Sequence, residues 1–163
     1  NIALIEKNKP VIGVIYVPVT KTLYYAIVAE QKAFKTILKK HAVAVNELFA
    51  SNDAMLIEKE DNETIKVVGS RSHKSAETEA FIQSLEQQGK QVEIVSIGSS
   101  LKFCLVAEGE ATMYPRFAPT MEWDTAAGHA ICNAVGLKVM QTNSADELQY
   151  NKQHLLNPYF IVS

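Results

Sequence analysis

The 163-residue sequence lacks the features that mark membrane-spanning, secreted or nucleic-acid-binding proteins. No apolar run approaches the roughly 20 residues of a membrane span, and no signal peptide is visible. Its two cysteines, Cys104 and Cys132, lie far apart in apolar segments without a CxxC pair, which is typical of reduced core thiols in a cytoplasmic protein. The 16 basic and 18 acidic residues give a formal net charge of -2, which offers no broad basic surface for a nucleic acid polymer.

The chain also lacks an initiator methionine, and residues 1–5 read NIALI with no polar leader before them. A strand this hydrophobic normally lies within a sheet rather than at the start of a protein. We therefore expect the sequence to be part of something longer.

What is present divides into two patterns. Short β-rich runs separated by turns fill residues 1–49 and predict an antiparallel β-meander. In residues 64–163, β-rich runs alternate with helical patterns, which predicts an α/β fold with a mostly parallel sheet flanked by helices. The polar, acidic stretch between them is the predicted boundary. Hydrophobic residues make up 47% of the chain, which is enough for a packed core.

The segment WDTAAG at residues 123–128 places a carboxylate, Asp124, where a loop is predicted to meet a helix. Local chemistry alone favours Asp124 as an N-cap, because aspartate is common in that position. The alternative is a ligand to Mg²⁺, an ion that prefers oxygen ligands and retains substrate phosphates in its shell. A helix N-terminus beside it would suit a phosphate.

The segment SIGSSLK at residues 96–102 lies at another predicted strand-to-helix turn. Gly98 permits a tight turn, Ser99 and Ser100 offer hydroxyls and amides to phosphate oxygens, and Lys102 adds a positive charge. The Walker spacing of a P-loop is absent. Serine caps and exposed lysines are common, so this segment by itself is a weak signal.

Two further segments carry polar groups near predicted strands: SRSH at residues 70–73, with Ser70 and His73, and YPRF at residues 114–117, with Arg116. Each has a structural alternative, an exposed polar loop for the first and a surface arginine for the second. Ligands of open α/β sheets bind at the carboxyl ends of the strands. We therefore expect these phosphate-suited groups to converge along one edge of the sheet.

At these residues the sequence resembles the inositol monophosphatase superfamily and, within it, the bacterial 3'(2'),5'-bisphosphate nucleotidases. WDTAAG is similar to the superfamily signature WDxAAG, while SIGSSLKFC, YPRF and SRSH are similar to segments of the nucleotidase branch. The resemblance covers nearly the whole chain. It implies the C-terminal lobe of a layered αβαβα fold like that of the sugar phosphatases, with residues 1–49 as the remainder of an N-terminal lobe.

The resemblance also implies a magnesium-dependent phosphomonoesterase that hydrolyses 3'-phosphoadenosine 5'-phosphate to AMP and phosphate in sulfur assimilation and is inhibited by lithium. Two Mg²⁺ ions would activate a water and stabilise the leaving oxygen. Asp124 would be the metal ligand of this chain and would lie beside the substrate. The other implied substrate-binding residues are Ser70, His73, Gly98, Ser99, Ser100, Lys102 and Arg116. The implied location is the cytoplasm, or the inner face of a bacterial membrane.

The sequence departs from the family pattern in one large respect: the first signature, DPxDGT, and the upstream glutamate are absent. Those residues supply most metal ligands, so we expect the chain alone to be inactive and its partner to be the missing N-terminal lobe. The uncovered meander should favour self-association. Two alternatives stay open, a non-catalytic nucleotide-binding module and an inositol or sugar phosphate phosphatase; the SLK run argues against the second.

Overall fold

The computed structural model describes residues 1–55, 64–69 and 75–163. Within these ranges it contains three α-helices and nine strands, which confirms the predicted α/β class. The helices are α1 (Ala76–Gln87), α2 (Leu101–Ala107) and α3 (Glu122–Ala134). The strands are β1 (Ile2–Glu6), β2 (Lys9–Val17), β3 (Thr22–Ile27), β4 (Lys32–Ile37), β5 (Thr64–Gly69), β6 (Gln91–Ser96), β7 (Tyr114–Arg116), β8 (Val139–Gln141) and β9 (Phe160–Val162). None of the described helices is both long and apolar enough to cross a membrane.

The first four strands form an antiparallel sheet in chain order, which confirms the predicted meander. The two-residue turn between β1 and β2 places Lys7 and Asn8 in the left-handed region, at φ 48° and 65°. That geometry matches the right-handed twist of the paired strands. The sheet face toward the helices is buried, whereas the opposite face carries Ile2 and Leu4, whose residues are 73% and 55% exposed.

The parallel part of the fold consists of β5 and β6, which α1 connects. This helix begins after Ser75, whose hydroxyl accepts a hydrogen bond from the Thr78 N–H at 3.3 Å. It is followed by Gly89 at φ 81°. A serine cap and a left-handed glycine satisfy the end groups of a helix, so both ends of α1 have local causes.

The remaining strands differ from the prediction of a mostly parallel sheet. β9 pairs antiparallel with β7 on one side and with β8 on the other. The residues between β8 and β9 include no α-helix, and without a helical crossover the chain returns antiparallel. Met113, the residue before β7, forms a parallel bridge to Val67 of β5.

The central helix α3 approaches both of its neighbours very closely. A Cβ atom added to Gly13 of β2 would lie 2.3 Å from the carbonyl oxygen of Ala127, and one added to Gly128 would lie 2.4 Å from Cγ of Phe103 in α2. These distances are far below van der Waals contact, so both positions require glycine. The small residues of WDTAAG therefore place α3 directly between the sheet and α2.

The buried hydrophobic side chains form two clusters, a large one and a smaller one of Leu23, Tyr25 and Phe34. One cluster of buried side chains extends from Tyr24 of β3 through Phe103 to Phe160 of β9. Cys104 and Cys132 are free and buried within it, as the sequence predicted. The division into lobes at residues 1–49 and 64–163 stays a prediction.

The substitution Gly128→Ala tests this packing. Alanine favours a helix over glycine by up to about 1 kcal/mol, but overpacking a core costs about 1–3 kcal/mol. The colliding atoms of Phe103 include its Cβ, which cannot swing away, so we expect a net loss in the free energy of unfolding measured in urea. The control is Gly98→Ala, whose Cβ would meet no described atom within 4 Å. A Gly128→Ala protein as stable as the control would contradict the close approach.

Candidate functional site

A cavity of about 300 Å³ lies where α2, β7 and α3 meet. Its lining comprises Ser99, Ser100, Lys102, Phe103, Tyr114, Arg116, Pro119, Thr120, Asp124 and Thr125. The structure therefore brings together five residues that the sequence singled out: Ser99, Ser100, Lys102, Arg116 and Asp124. Gly98 is adjacent in sequence but does not line the cavity, and Ser70 and His73 lie outside the described residues.

The turn before α2 differs in detail from the prediction. The left-handed residue is Ser99, at φ 58°, whereas Gly98 adopts an ordinary conformation and is not needed for the turn. The Ser100 hydroxyl is buried and accepts a 2.6 Å hydrogen bond from the side-chain amide of Asn1. Ser99, whose backbone is strained, also lies on the cavity wall, but its hydroxyl makes no such bond to Asn1.

Two cations share the cavity. Lys102 Nζ donates to the carbonyl oxygen of Ser99 at 3.3 Å and lies 5.7 Å from the centre of the Tyr114 ring. Burial lowers the pKa of Lys102, and the neighbouring charge of Arg116 lowers that pKa further. Since like charges in a half-buried space repel, an anion between them would be stabilised by both.

The Arg116 guanidinium is only partly satisfied. One Nη atom donates to the carbonyl oxygen of Pro119 at 3.2 Å, while the buried Nε has no hydrogen-bond partner among the described residues. A buried donor without a partner is costly. The guanidinium therefore retains donors for an external acceptor, and its planar fork matches the oxygens of a phosphate.

Asp124 is not the N-cap that local chemistry favoured. Helix α3 begins at Glu122 and its N-cap is Met121, so Asp124 is the third helical residue rather than the cap. Its Oδ2 atom accepts the Met121 N–H at 2.9 Å. This backward bond is the acidic half of a capping box, which satisfies one of the free donors of the helix end.

Asp124 is also the only carboxylate on the described cavity wall. The side chain is exposed, and its Oδ1 atom makes no hydrogen bond within the described residues, so it can serve as one hard oxygen ligand. Across the same residues, no group of three or more histidine, cysteine, aspartate or glutamate side chains could hold a metal ion. The described residues thus fit a single contribution to a magnesium site, not a complete one.

Sequence reasoning missed the groups that hold the start of α3 in place. The buried Glu122 carboxylate accepts the N–H of Asn151 at 2.8 Å and the ammonium of Lys152 at 2.6 Å. The Asn157 side-chain amide donates to Thr125 Oγ1 at 3.0 Å. These partners are about 30 residues apart in the chain, so no local pattern signals them.

Comparisons with known proteins agree with this architecture. The model of the inositol monophosphatase family matches residues 1–159. The chain is 45% identical to the 3'(2'),5'-bisphosphate nucleotidase CysQ of Salmonella typhimurium and 43% identical to that of Escherichia coli K12, in each case over all 163 residues. It spans 58% of the length of each of these curated relatives.

Solved structures give the same result. The chain is similar to the crystal structure of CysQ from Bacteroides thetaiotaomicron, with a TM-score of 0.85 and 46% identity over 99% of this chain and 60% of that one. Inositol monophosphatase II of Staphylococcus aureus superposes with a TM-score of 0.69 at 17% identity, over 98% of this chain and 54% of that one. At that identity the second likeness shows the fold alone.

Substitutions at Asp124 separate its capping role from any role in ligand binding. Asp124→Asn keeps an oxygen that can accept the Met121 N–H and loses only the charge, which near a helix N-terminus contributes about 0.3–1 kcal/mol. Asp124→Ala removes the acceptor as well, and we expect a larger loss of about 0.5–2 kcal/mol in the free energy of unfolding. Urea unfolding of both variants measures the difference. Equal stability of the two variants would show that the bond to Met121 contributes nothing.

Proposed function

The chain belongs to the inositol monophosphatase family, and we propose that it serves as the substrate-binding half of a 3'(2'),5'-bisphosphate nucleotidase. The reaction is hydrolysis of 3'-phosphoadenosine 5'-phosphate to AMP and phosphate, with Mg²⁺ as the cofactor. Support for this substrate comes from the CysQ relatives at 43–45% identity and from the chemistry of the cavity.

The observation that carries the proposal is the convergence of Lys102, Arg116 and Asp124 in the lining of one cavity. A bisphosphate has two dianionic groups. The two cations bind one phosphate, Arg116 through its fork and Lys102 as a point charge. The other phosphate lies toward the first turn of α3, where the positive end of the helix dipole favours an anion.

In this function the residues of the chain bind and orient the substrate. Mg²⁺, when bound, would supply the activated water and the stabilisation of the leaving oxygen. Asp124 would contribute one ligand to that ion. Two cations beside the cavity suit a second phosphate better than the uncharged hydroxyls of an inositol or sugar monophosphate, which is why the nucleotide is the preferred substrate.

One observation favours a second candidate function, a nucleotide-binding module without turnover. Two-metal hydrolysis requires several carboxylates that hold ions about 4 Å apart, and the described cavity wall offers one. Phosphate recognition by Lys102, Arg116 and a helix N-terminus needs no metal. The two candidates share the binding step and differ in turnover.

We expect the 163-residue protein to bind 3'-phosphoadenosine 5'-phosphate weakly and to release no phosphate from it, even with excess Mg²⁺. Calorimetric titration at low and high salt measures the binding, and a phosphate-release assay on protein of verified mass measures the turnover. Lys102→Ala or Arg116→Ala should each weaken binding about tenfold or more, since hydrogen bonds to charged groups contribute about 1.5–3 kcal/mol.

The matched control is Lys90→Ala, which removes an exposed lysine outside the cavity and should leave binding unchanged. Equal losses in all three variants would indicate nonspecific charge attraction rather than a site. Turnover at roughly 1 s⁻¹ or faster would mean that the chain contains the catalytic carboxylates, and would overturn the assignment of a binding half.

The exposed face of the meander provides a separate prediction, self-association. Ile2 and Leu4 of β1 stand beside Ile12 of β2 on the face away from α3, and all three are exposed. Contiguous apolar surface favours association. We expect light scattering to show a mass that rises with protein concentration, and Leu4→Lys to reduce that rise. A monomer at every concentration would contradict the prediction.

A further inference from the structure

A buried chain of polar groups extends along one face of α3, from Thr125 on the cavity wall past His129 to Glu147. The Tyr150 hydroxyl lies 3.2 Å from Thr125 Oγ1 and 3.0 Å from Nδ1 of His129. The other ring nitrogen, Nε2, lies 3.0 Å from Oε2 of Glu147. The residues Thr125, Tyr150 and His129 are each about 1% exposed, so water does not compete for these bonds.

The two ends of this hydrogen-bonded network, Thr125 and Glu147, have different surroundings. Thr125 lines the cavity and follows Asp124 directly in the first turn of α3. Glu147 lies near the surface, where it also accepts from the Lys138 ammonium at 2.8 Å and from the Asn133 amide at 3.0 Å. The imidazole of His129 is the one group that connects the carboxylate to the hydroxyls.

The acceptors determine which atoms of this polar network carry the protons. Hydrogen bonds, first among them that from His129, hold the pKa of Glu147 at about 2. At neutral pH the Glu147 carboxylate is therefore ionised, so it can accept hydrogen bonds and cannot donate one. Burial lowers the pKa of His129, which is therefore neutral. A neutral imidazole facing a carboxylate through Nε2 must carry its proton there, which leaves Nδ1 as an acceptor. The Tyr150 hydroxyl must then donate to His129.

We propose that His129 is a positioning residue for the cavity. Glu147 holds His129 in the Nε2–H tautomer, and His129 in turn fixes the Tyr150 hydroxyl. The Tyr150 hydroxyl then positions Thr125 and the first turn of α3. With the Tyr150 proton directed at His129, the Thr125 hydroxyl donates to the Glu122 carbonyl oxygen at 3.2 Å and accepts from the Asn157 side-chain amide at 3.0 Å. The Tyr150 oxygen stays in contact with Thr125 Oγ1 at 3.2 Å. The effect on nucleotide binding rests on the proposed function.

Nuclear magnetic resonance of the 163-residue protein tests the tautomer. Long-range ¹⁵N–¹H correlation at neutral pH should show His129 neutral and protonated at Nε2. Glu147→Gln offers an amide that can donate to Nε2, so we expect this variant to shift His129 toward the Nδ1–H form. This response tests the hydrogen bond between Glu147 and His129. A wild-type His129 that is doubly protonated or in the Nδ1–H form would overturn the proposal.

Tyr150→Phe tests the transmission to the cavity, because it removes the hydroxyl and keeps the ring. The amide signals of Asp124 and Thr125 should move, and binding of 3'-phosphoadenosine 5'-phosphate should weaken about fivefold, the equivalent of one typical hydrogen bond. The matched control is Tyr16→Phe, since the Tyr16 hydroxyl also contacts an imidazole, that of His41 at 2.6 Å, but at an exposed place outside the cavity.

Equal spectra of the two tyrosine variants at Asp124 and Thr125 would overturn the proposal. If Tyr150→Phe does not fold, the amide signals of Asp124 and Thr125 in Glu147→Gln test the proposal instead. Glu147 is partly exposed, so this substitution disturbs the core less. If the wild-type protein binds no nucleotide, the proposed function fails, while the tautomer and the amide signals still decide this inference.

Discussion

The close approach of α3 to its two neighbours is the constraint on which the rest of the structure depends. Gly13 and Gly128 allow backbone-to-backbone and backbone-to-ring contacts that no larger residue would permit. Because α3 is held against α2 at this distance, its first turn is brought to the start of α2 and the end of β7, where the cavity forms. The small residues after Asp124 thus act on the site through packing, although they contribute no chemistry to it.

The electrostatics of the cavity follow from that packing. Among the described residues, neither Lys102 nor Arg116 forms an ion pair with a carboxylate, and Asp124 directs one oxygen back to Met121. Burial and the neighbouring charge of Arg116 both disfavour the charged form of Lys102 and lower its pKa. In the proposed function a bound phosphate would relieve that cost.

Local sequence patterns predicted those parts of the molecule whose causes are local. The meander and the convergence of Lys102, Arg116 and Asp124 on one cavity followed from turns and strand-to-helix positions. The antiparallel course of β9, the left-handed Ser99 and the position of Asp124 inside α3 did not, since each depends on partners elsewhere in the fold. The bonds among Thr125, Tyr150 and His129 join residues more than 20 positions apart, a separation that no helix or strand period encodes.

A cavity whose charged groups are two cations and one exposed carboxylate has a definite limit as a catalyst. Lys102 and Arg116 attract the phosphate of a substrate and that of its product in the same way, and binding both states equally lowers no chemical barrier. Acceleration requires groups that act on charge as it develops, in this family metal ions held by several carboxylates. In the proposed function the described residues therefore select and orient the anion. The rate would depend on further metal ligands besides Asp124.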